Sequence, residues 1–150
     1  MDIHRILAPT DFSDLSKQGL KSALELAQAF GAKLLLIHVV EPPPYPVEGI
    51  VSSDLGATLL DDLEREASRA LAQMLSEMQG STGDVTSHVV VGIPNRKIVE
   101  VAEAEKSELI VMTTHGRTGL SHLVMGSVAE KVVRTAPCPV LTIRPTSATP

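Results

Sequence analysis

The chain has 150 residues, 18 of them acidic and 13 basic, for a formal charge of −5. That balance argues against phosphate-backbone binding as the main role, because nucleic-acid readers carry a basic face. Only Phe12, Phe30 and Tyr45 are aromatic, too few for a base-stacking platform, so the core must be aliphatic. The single cysteine, Cys138, excludes an internal disulfide and a four-thiolate zinc site. No apolar run approaches the ~18–20 residues of a membrane-spanning helix. Leu34 to Val40 comes nearest, and His38 interrupts it. The opening Met1-Asp2-Ile3-His4-Arg5 lacks the apolar segment of a signal peptide. The expectation is a soluble cytoplasmic protein with neither a nucleic-acid nor a membrane partner.

Short apolar runs alternate with amphipathic stretches. Ile6 to Ala8 opens the series, and Leu15, Leu20, Ala23, Leu24, Ala27 and Phe30 follow on one helical face. Leu34 to Val40 is the second run. Residues 41–54 begin Glu41-Pro42-Pro43-Pro44-Tyr45-Pro46 and predict an irregular loop near that strand's C-terminal end. Leu55, Leu59, Leu63, Ala67, Ala70, Leu71, Met74 and Met78 form a longer stripe. Val89 to Val91, a helix marked by Ile98, Val99 and Ala102, and the run Leu109 to Met112 come next. Val124, Val128, Val132 and Val133 mark a fourth helix, and Val140 to Ile143 a fifth strand. Residues 146–150 are small and polar and predict a flexible tail.

Most of the strand runs are continuous rather than alternating, as in strands buried on both faces of a parallel sheet. The order β-α-β-α-β-α-β-α-β predicts a single doubly wound α/β domain over residues 1–150.

The P-loop and the dinucleotide fingerprint are both missing. The first strand instead ends in Ala8-Pro9-Thr10-Asp11-Phe12-Ser13. Asp11 can reach a sugar hydroxyl or a metal from there, and the commoner role for Asp11 or Ser13 is to cap the next helix. The fourth strand runs into Met112-Thr113-Thr114-His115-Gly116-Arg117-Thr118-Gly119 and then Gly126-Ser127. Gly116 and Gly119 permit close backbone approach, Arg117 supplies a positive charge, and a helix N-terminus at Gly126-Ser127 suits an anion. The competing reading is structural: Ser127-Val128-Ala129-Glu130 matches a capping box. None of the histidines pairs at a zinc spacing, and there is no G-x-S-x-G nucleophile elbow. Cys138, set between two prolines, reads as an inert thiol.

These segments resemble the universal stress protein family, in its ATP-binding subgroup. The family's G-x-x-G, nine-residue, G-[ST] signature falls on Thr113-Thr114-His115-Gly116, then Arg117 to Met125, then Gly126-Ser127. Pro9-Thr10-Asp11-Phe12-Ser13, His38-Val39-Val40, Val91-Gly92-Ile93-Pro94 and Ala136-Pro137-Cys138-Pro139-Val140-Leu141 carry the likeness along nearly the whole chain. The resemblance implies a five-stranded parallel sheet in the order 3-2-1-4-5, with helices on both faces. It implies ATP, with Mg or Mn, held by Pro9, Thr10, Asp11, Val39, Met112, Thr113, Gly116, Arg117, Gly126, Ser127 and Val128. It also implies a homodimer through the last strand, Val140 to Arg144, and a nucleotide-dependent sensor or interaction module. A nucleotide-free dimeric module and an ATP-using hydrolase or adenylating enzyme are the alternatives. Any ATPase activity is expected to be slow. One departure stands out: the first signature glycine is Thr113 here. If that position needs positive φ, a β-branched residue is strained; if it needs close approach, the side chain crowds the ligand.

Overall fold

The computed structural model describes residues 2–42, 53–78, 83–115 and 125–144. Strands and helices alternate in the expected order. They are β1 (Arg5–Pro9), α1 (Asp14–Phe30), β2 (Lys33–Val40), α2 (Ser53–Glu77), β3 (Val85–Val91), α3 (Pro94–Ala104), β4 (Leu109–Thr113), α4 (Ser127–Thr135) and β5 (Val140–Ile143). All five strands join one parallel sheet in the order β3-β2-β1-β4-β5.

The continuous apolar runs are explained by their position. Successive side chains of a strand point to opposite faces, and helices cover both. Ile6, Ala8, Leu34, Leu36, Leu109 and Val111 pack on one face against Leu20, Ala23 and Ala27 of α1 and Leu71 and Met74 of α2. Leu7, Leu35, Ile37, Ile110 and Met112 pack on the other against Ile98 and Ala102 of α3 and Ala129 and Val132 of α4.

The differences from expectation lie at edges and ends. β3 begins at Val85, ahead of the apolar run Val89 to Val91, because an edge strand admits Thr86 and His88 on its exposed side. Helix α2 begins at Ser53, so the last two positions of the expected loop 41–54 are helical. Residues 43–52 and the tail 146–150 lie outside the described residues, as does Val124. Phe30, Leu59 and Val133 were expected to face inward and are 46%, 49% and 46% exposed. Phe30 is the last residue of α1. Helix α2 has 25 residues, roughly 37 Å, and outreaches the eight-residue β2, roughly 26 Å, so one end of its stripe overhangs the sheet. Val133 follows the fully buried Val132, one position round a helix that turns only one narrow face to the sheet.

Candidate functional site

Strands β1 and β4 pair over only two positions, Ile6 with Leu109 and Leu7 with Ile110. By contrast β1 and β2 pair over five positions and β2 and β3 over seven. The two helical layers also change sides here, so this is the topological switch point, where open α/β sheets bind ligands. A cleft of about 970 Å³ opens beyond the parting strands. Small-molecule sites are typically ~300–1,000 Å³. The ends of β1, β2 and β4 line it, together with Gly126 to Ala129 at the start of α4. Leu63, Glu66, Ala67 and Ala70 of α2 and Pro94 and Ile98 of α3 form the walls.

The β1–α1 turn is built as a hydrogen-bonded relay. Ser13 is the N-cap of α1, and its Oγ accepts the Ser16 N–H at 3.1 Å. Asp11 is not the cap; its Oδ1 accepts the Ser13 N–H at 3.0 Å and the Ser13 hydroxyl. Ser16 Oγ donates to Ser13 O at 2.8 Å, so the Thr10 hydroxyl, 3.0 Å away, is the donor of the Thr10–Ser16 bond. Thr10 Oγ1 then accepts the Phe12 N–H at 3.1 Å. These bonds hold Phe12 at φ 64°, a left-handed conformation unusual for a bulky residue. The Phe12 ring stacks on His38 with centroids 4.3 Å apart. His38 Nδ1 lies 2.8 Å from Thr10 O, and because a carbonyl only accepts, Nδ1 carries the proton.

The β4 exit and the α4 start form the opposite lip. Thr113 is buried and lies in regular strand; among the described non-glycine residues only Phe12 and Lys106 have positive φ. Of the two alternatives for Thr113, backbone strain is therefore absent, and its hydroxyl is tied to His115 O at 2.7 Å. Thr114 O accepts the Gly126 N–H at 2.7 Å, and Thr114 Oγ1 lies 2.9 Å from His115 Nδ1. His115 Nε2 is buried with no hydrogen-bond partner among the described residues.

The capping-box expectation for Ser127 is overturned. The N-cap of α4 is Gly126, one residue earlier, and no side chain among the described residues caps the helix. Ser127 is therefore the first helical residue, and its hydroxyl is displaced from the capping position. The first amide with an acceptor inside the helix is Glu130, bonded to Gly126 O at 2.9 Å. The N–H groups of Ser127, Val128 and Ala129 have no acceptor within the helix, and all three residues line the cleft. A helix N-terminus in this state favours an anion.

Nine of the eleven expected site residues line this one cleft: Pro9, Thr10, Asp11, Val39, Met112, Thr113, Gly126, Ser127 and Val128. The other two, Gly116 and Arg117, lie outside the described residues. Lining residues that the sequence reading did not place there include Phe12, Glu66 and the apolar residues of α2 and α3, whereas Glu41 opens the loop expected near this end of β2. Their helical stripes signal burial, but a stripe does not say which turns face sheet and which face a cleft. His38, read as structural, is structural in its bond to Thr10 and also part of the lining.

The described lining carries carboxylates at Asp11, Glu41 and Glu66, and no Lys or Arg. Among the described residues no group of three or more His, Cys, Asp or Glu is placed to hold a metal ion. A divalent ion would instead need ligand oxygens beside a carboxylate such as Asp11. A second hollow on α2, lined by Asp61, Glu64, Arg65, Ser68 and Arg69, comes from a single helix face and cannot enclose a ligand. Burial pushes the Cys138 thiol up, against a weaker opposing contribution from its hydrogen bond with the Ile110 backbone, in keeping with an unreactive sulfur.

The Universal stress protein family model matches residues 2–144. The chain belongs to the universal stress protein family. It is 38% identical to Universal stress protein MJ0531 of Methanocaldococcus jannaschii, over 93% of this chain and 81% of that protein. The solved structure of MJ0577, from the same organism, superposes with a TM-score of 0.85 at 29% identity, over 99% of this chain and all of that one. A universal stress protein solved in complex with cAMP superposes at 0.63 with 25% identity, over 95% of this chain and 98% of that one. Among the described residues no helix of this stress protein is long and apolar enough to cross a membrane.

Proposed function

We propose that this universal stress protein is one nucleotide-binding domain that takes ATP in the switch-point cleft and acts as a nucleotide-dependent sensor or interaction module in the cytoplasm. The observation that carries the reading is the N-terminus of α4, capped by no side chain among the described residues, opening onto the cleft. The universal stress protein solved with cAMP supports an adenine nucleotide. In this reading the Val39 backbone meets the adenine edge. Pro9, Thr10, Asp11, Met112 and Thr113 face the nucleoside. Gly116, Arg117, Gly126, Ser127 and Val128 surround the phosphates. With acidic side chains at Asp11, Glu41 and Glu66, the triphosphate enters with Mg or Mn, which offsets repulsion from them. No general base is evident beside the phosphate loop among the described residues, so any hydrolysis is expected to be slow.

The second element of the reading is a homodimer through β5. That strand lies at the sheet edge, and Leu141 is 39% exposed. An unpaired edge is a template for pairing with a second copy about a two-fold axis.

The nucleotide reading is tested by denaturing the purified protein, identifying released small molecules against nucleotide standards, and titrating stripped protein with ATP and magnesium or manganese. Saturable binding is expected. Gly126→Val should abolish it, because a Cβ there would lie 3.0 Å from Thr114 O and a branched side chain must push the start of α4 away from the end of β4. Failure of the wild type to bind at millimolar ATP would instead leave a nucleotide-free dimeric module. Steady release of AMP or of an adenylated product would mark an enzyme.

A further inference from the structure

We propose that Gly19, on α1 and outside the lining of the cleft, sets the nucleotide affinity of the site by giving the Thr113 methyl a notch to occupy. This rests on the nucleotide reading above. Thr113 stands where the family signature has glycine, so a β-branched side chain must be housed at the cleft floor. Helix α1 supplies the space. Gly19 is buried within α1, at a helical position with no positive φ, so its backbone does not require glycine. Glycine is a poor helix former, and a mid-helix glycine calls for a local reason. A Cβ at position 19 would lie 2.7 Å from Thr113 Cγ2 and 3.4 Å from the Thr113 nitrogen. Real Cβ atoms do not approach that closely, so the notch exists only because residue 19 has no side chain.

The other branch of Thr113 is equally committed. Its hydroxyl donates to His115 O at 2.7 Å. The neighbouring Thr114 O holds the Gly126 N–H at 2.7 Å, directly before the open amides of α4. An alanine at position 19 therefore leaves Thr113 two exits. It can take another staggered χ1, which gives up the bond to His115 O. Alternatively the end of β4 lifts, which draws Thr114 O away from Gly126. Each exit deforms the lip that receives the phosphates, although residue 19 touches no nucleotide.

The experiment titrates the purified full chain with ATP and magnesium by calorimetry, with circular dichroism and thermal melting on the same samples. It compares wild type, Gly19→Ala, Thr113→Ser and the double variant. Gly19→Ala is expected to stay folded and bind ATP about tenfold more weakly or worse, the usual consequence of overpacking a tight contact. Thr113→Ser keeps the hydroxyl and drops the methyl, and it sets the reference affinity against which the double variant is read. The double variant is expected to recover to about the level of Thr113→Ser, because removing the methyl removes the clash that Gly19→Ala creates. Wild-type affinity in Gly19→Ala would overturn the proposal, as would a folded double variant that binds no better than Gly19→Ala. Should Gly19→Ala not fold, the double variant decides: folded with the affinity of Thr113→Ser supports the notch, and weaker binding than Thr113→Ser or loss of fold overturns it. A wild type that binds no ATP would overturn the nucleotide reading and this proposal together, an outcome distinct from all the others.

Discussion

Ser13 and Ser127 both stand at a helix entry, and their side chains do different work. Ser13 Oγ accepts the Ser16 N–H and is itself oriented by Asp11, whereas Ser127 lies one residue past the N-cap and caps nothing. Removing a Ser cap typically costs about 1 kcal/mol. Ser13→Ala is therefore expected to lower unfolding stability by about 1 kcal/mol in urea titrations, and Ser127→Ala by less than about 0.5 kcal/mol. Equal losses would mean that Ser127 caps α4 after all. The sequence could not separate these cases. Ser-x-x-Glu fits a capping box wherever the helix starts, and a shift of one residue in the start turns a self-satisfied end into open amides. Thr113 poses the same kind of problem: the effect of its side chain depends on what α1 places against it, a contact 94 positions away in the chain (113 minus 19). Phe12 carried no readable sign of its left-handed backbone, because that conformation is enforced by bonds from Thr10 and by stacking on His38.

At the scale of elements, the inner strands were readable because burial on both faces demands unbroken apolar runs. The start of β3 was not, since one face of an edge strand tolerates Thr86 and His88. Strand order leaves no trace in periodicity and came from the family likeness. The edge strand β5 also supports a directional prediction. Pro139 O and Ile143 O accept from Ile110 and Thr114 on β4. In a parallel ladder alternate residues bond to opposite sides, so the N–H of Thr142 points away from β4 toward any second copy. Thr142→Pro removes that outward donor and spares the β4 ladder. Sedimentation should show a dimer for the wild type and a monomer for Thr142→Pro. A dimeric Thr142→Pro protein would exclude β5 pairing as the contact.

For the whole molecule, the sheet is a wedge, latched at one end of the β1–β4 seam and open at the other. At the latch, Glu108 Oε2 accepts the N–H groups of His4 at 2.6 Å and Arg5 at 3.0 Å, and Glu108 N donates to Arg5 O. The hydrogen bond from the His4 backbone, aided by that from Arg5 and opposed by partial desolvation, holds the Glu108 carboxyl below the usual carboxylate range. A lowered pKa means that the folded state binds the proton less readily than the unfolded chain. The stabilisation is thus full above the ordinary carboxylate pKa and fades as pH falls through the lower folded value. Glu108→Ala should melt below wild type at neutral pH, with the gap narrowing in acid; a gap independent of pH would remove the ionised latch. At the open end, the Ser127, Val128 and Ala129 amides, which have no acceptor within α4, are the proposed phosphate donors. Titrating 15N-labelled, nucleotide-stripped protein with ATP and magnesium addresses them one by one. The amide resonances of Ser127, Val128 and Ala129 are expected to shift furthest, along one saturable curve. Unchanged resonances at these three residues at millimolar ATP, or saturable shifts confined to another face of the protein, would contradict their role as phosphate donors.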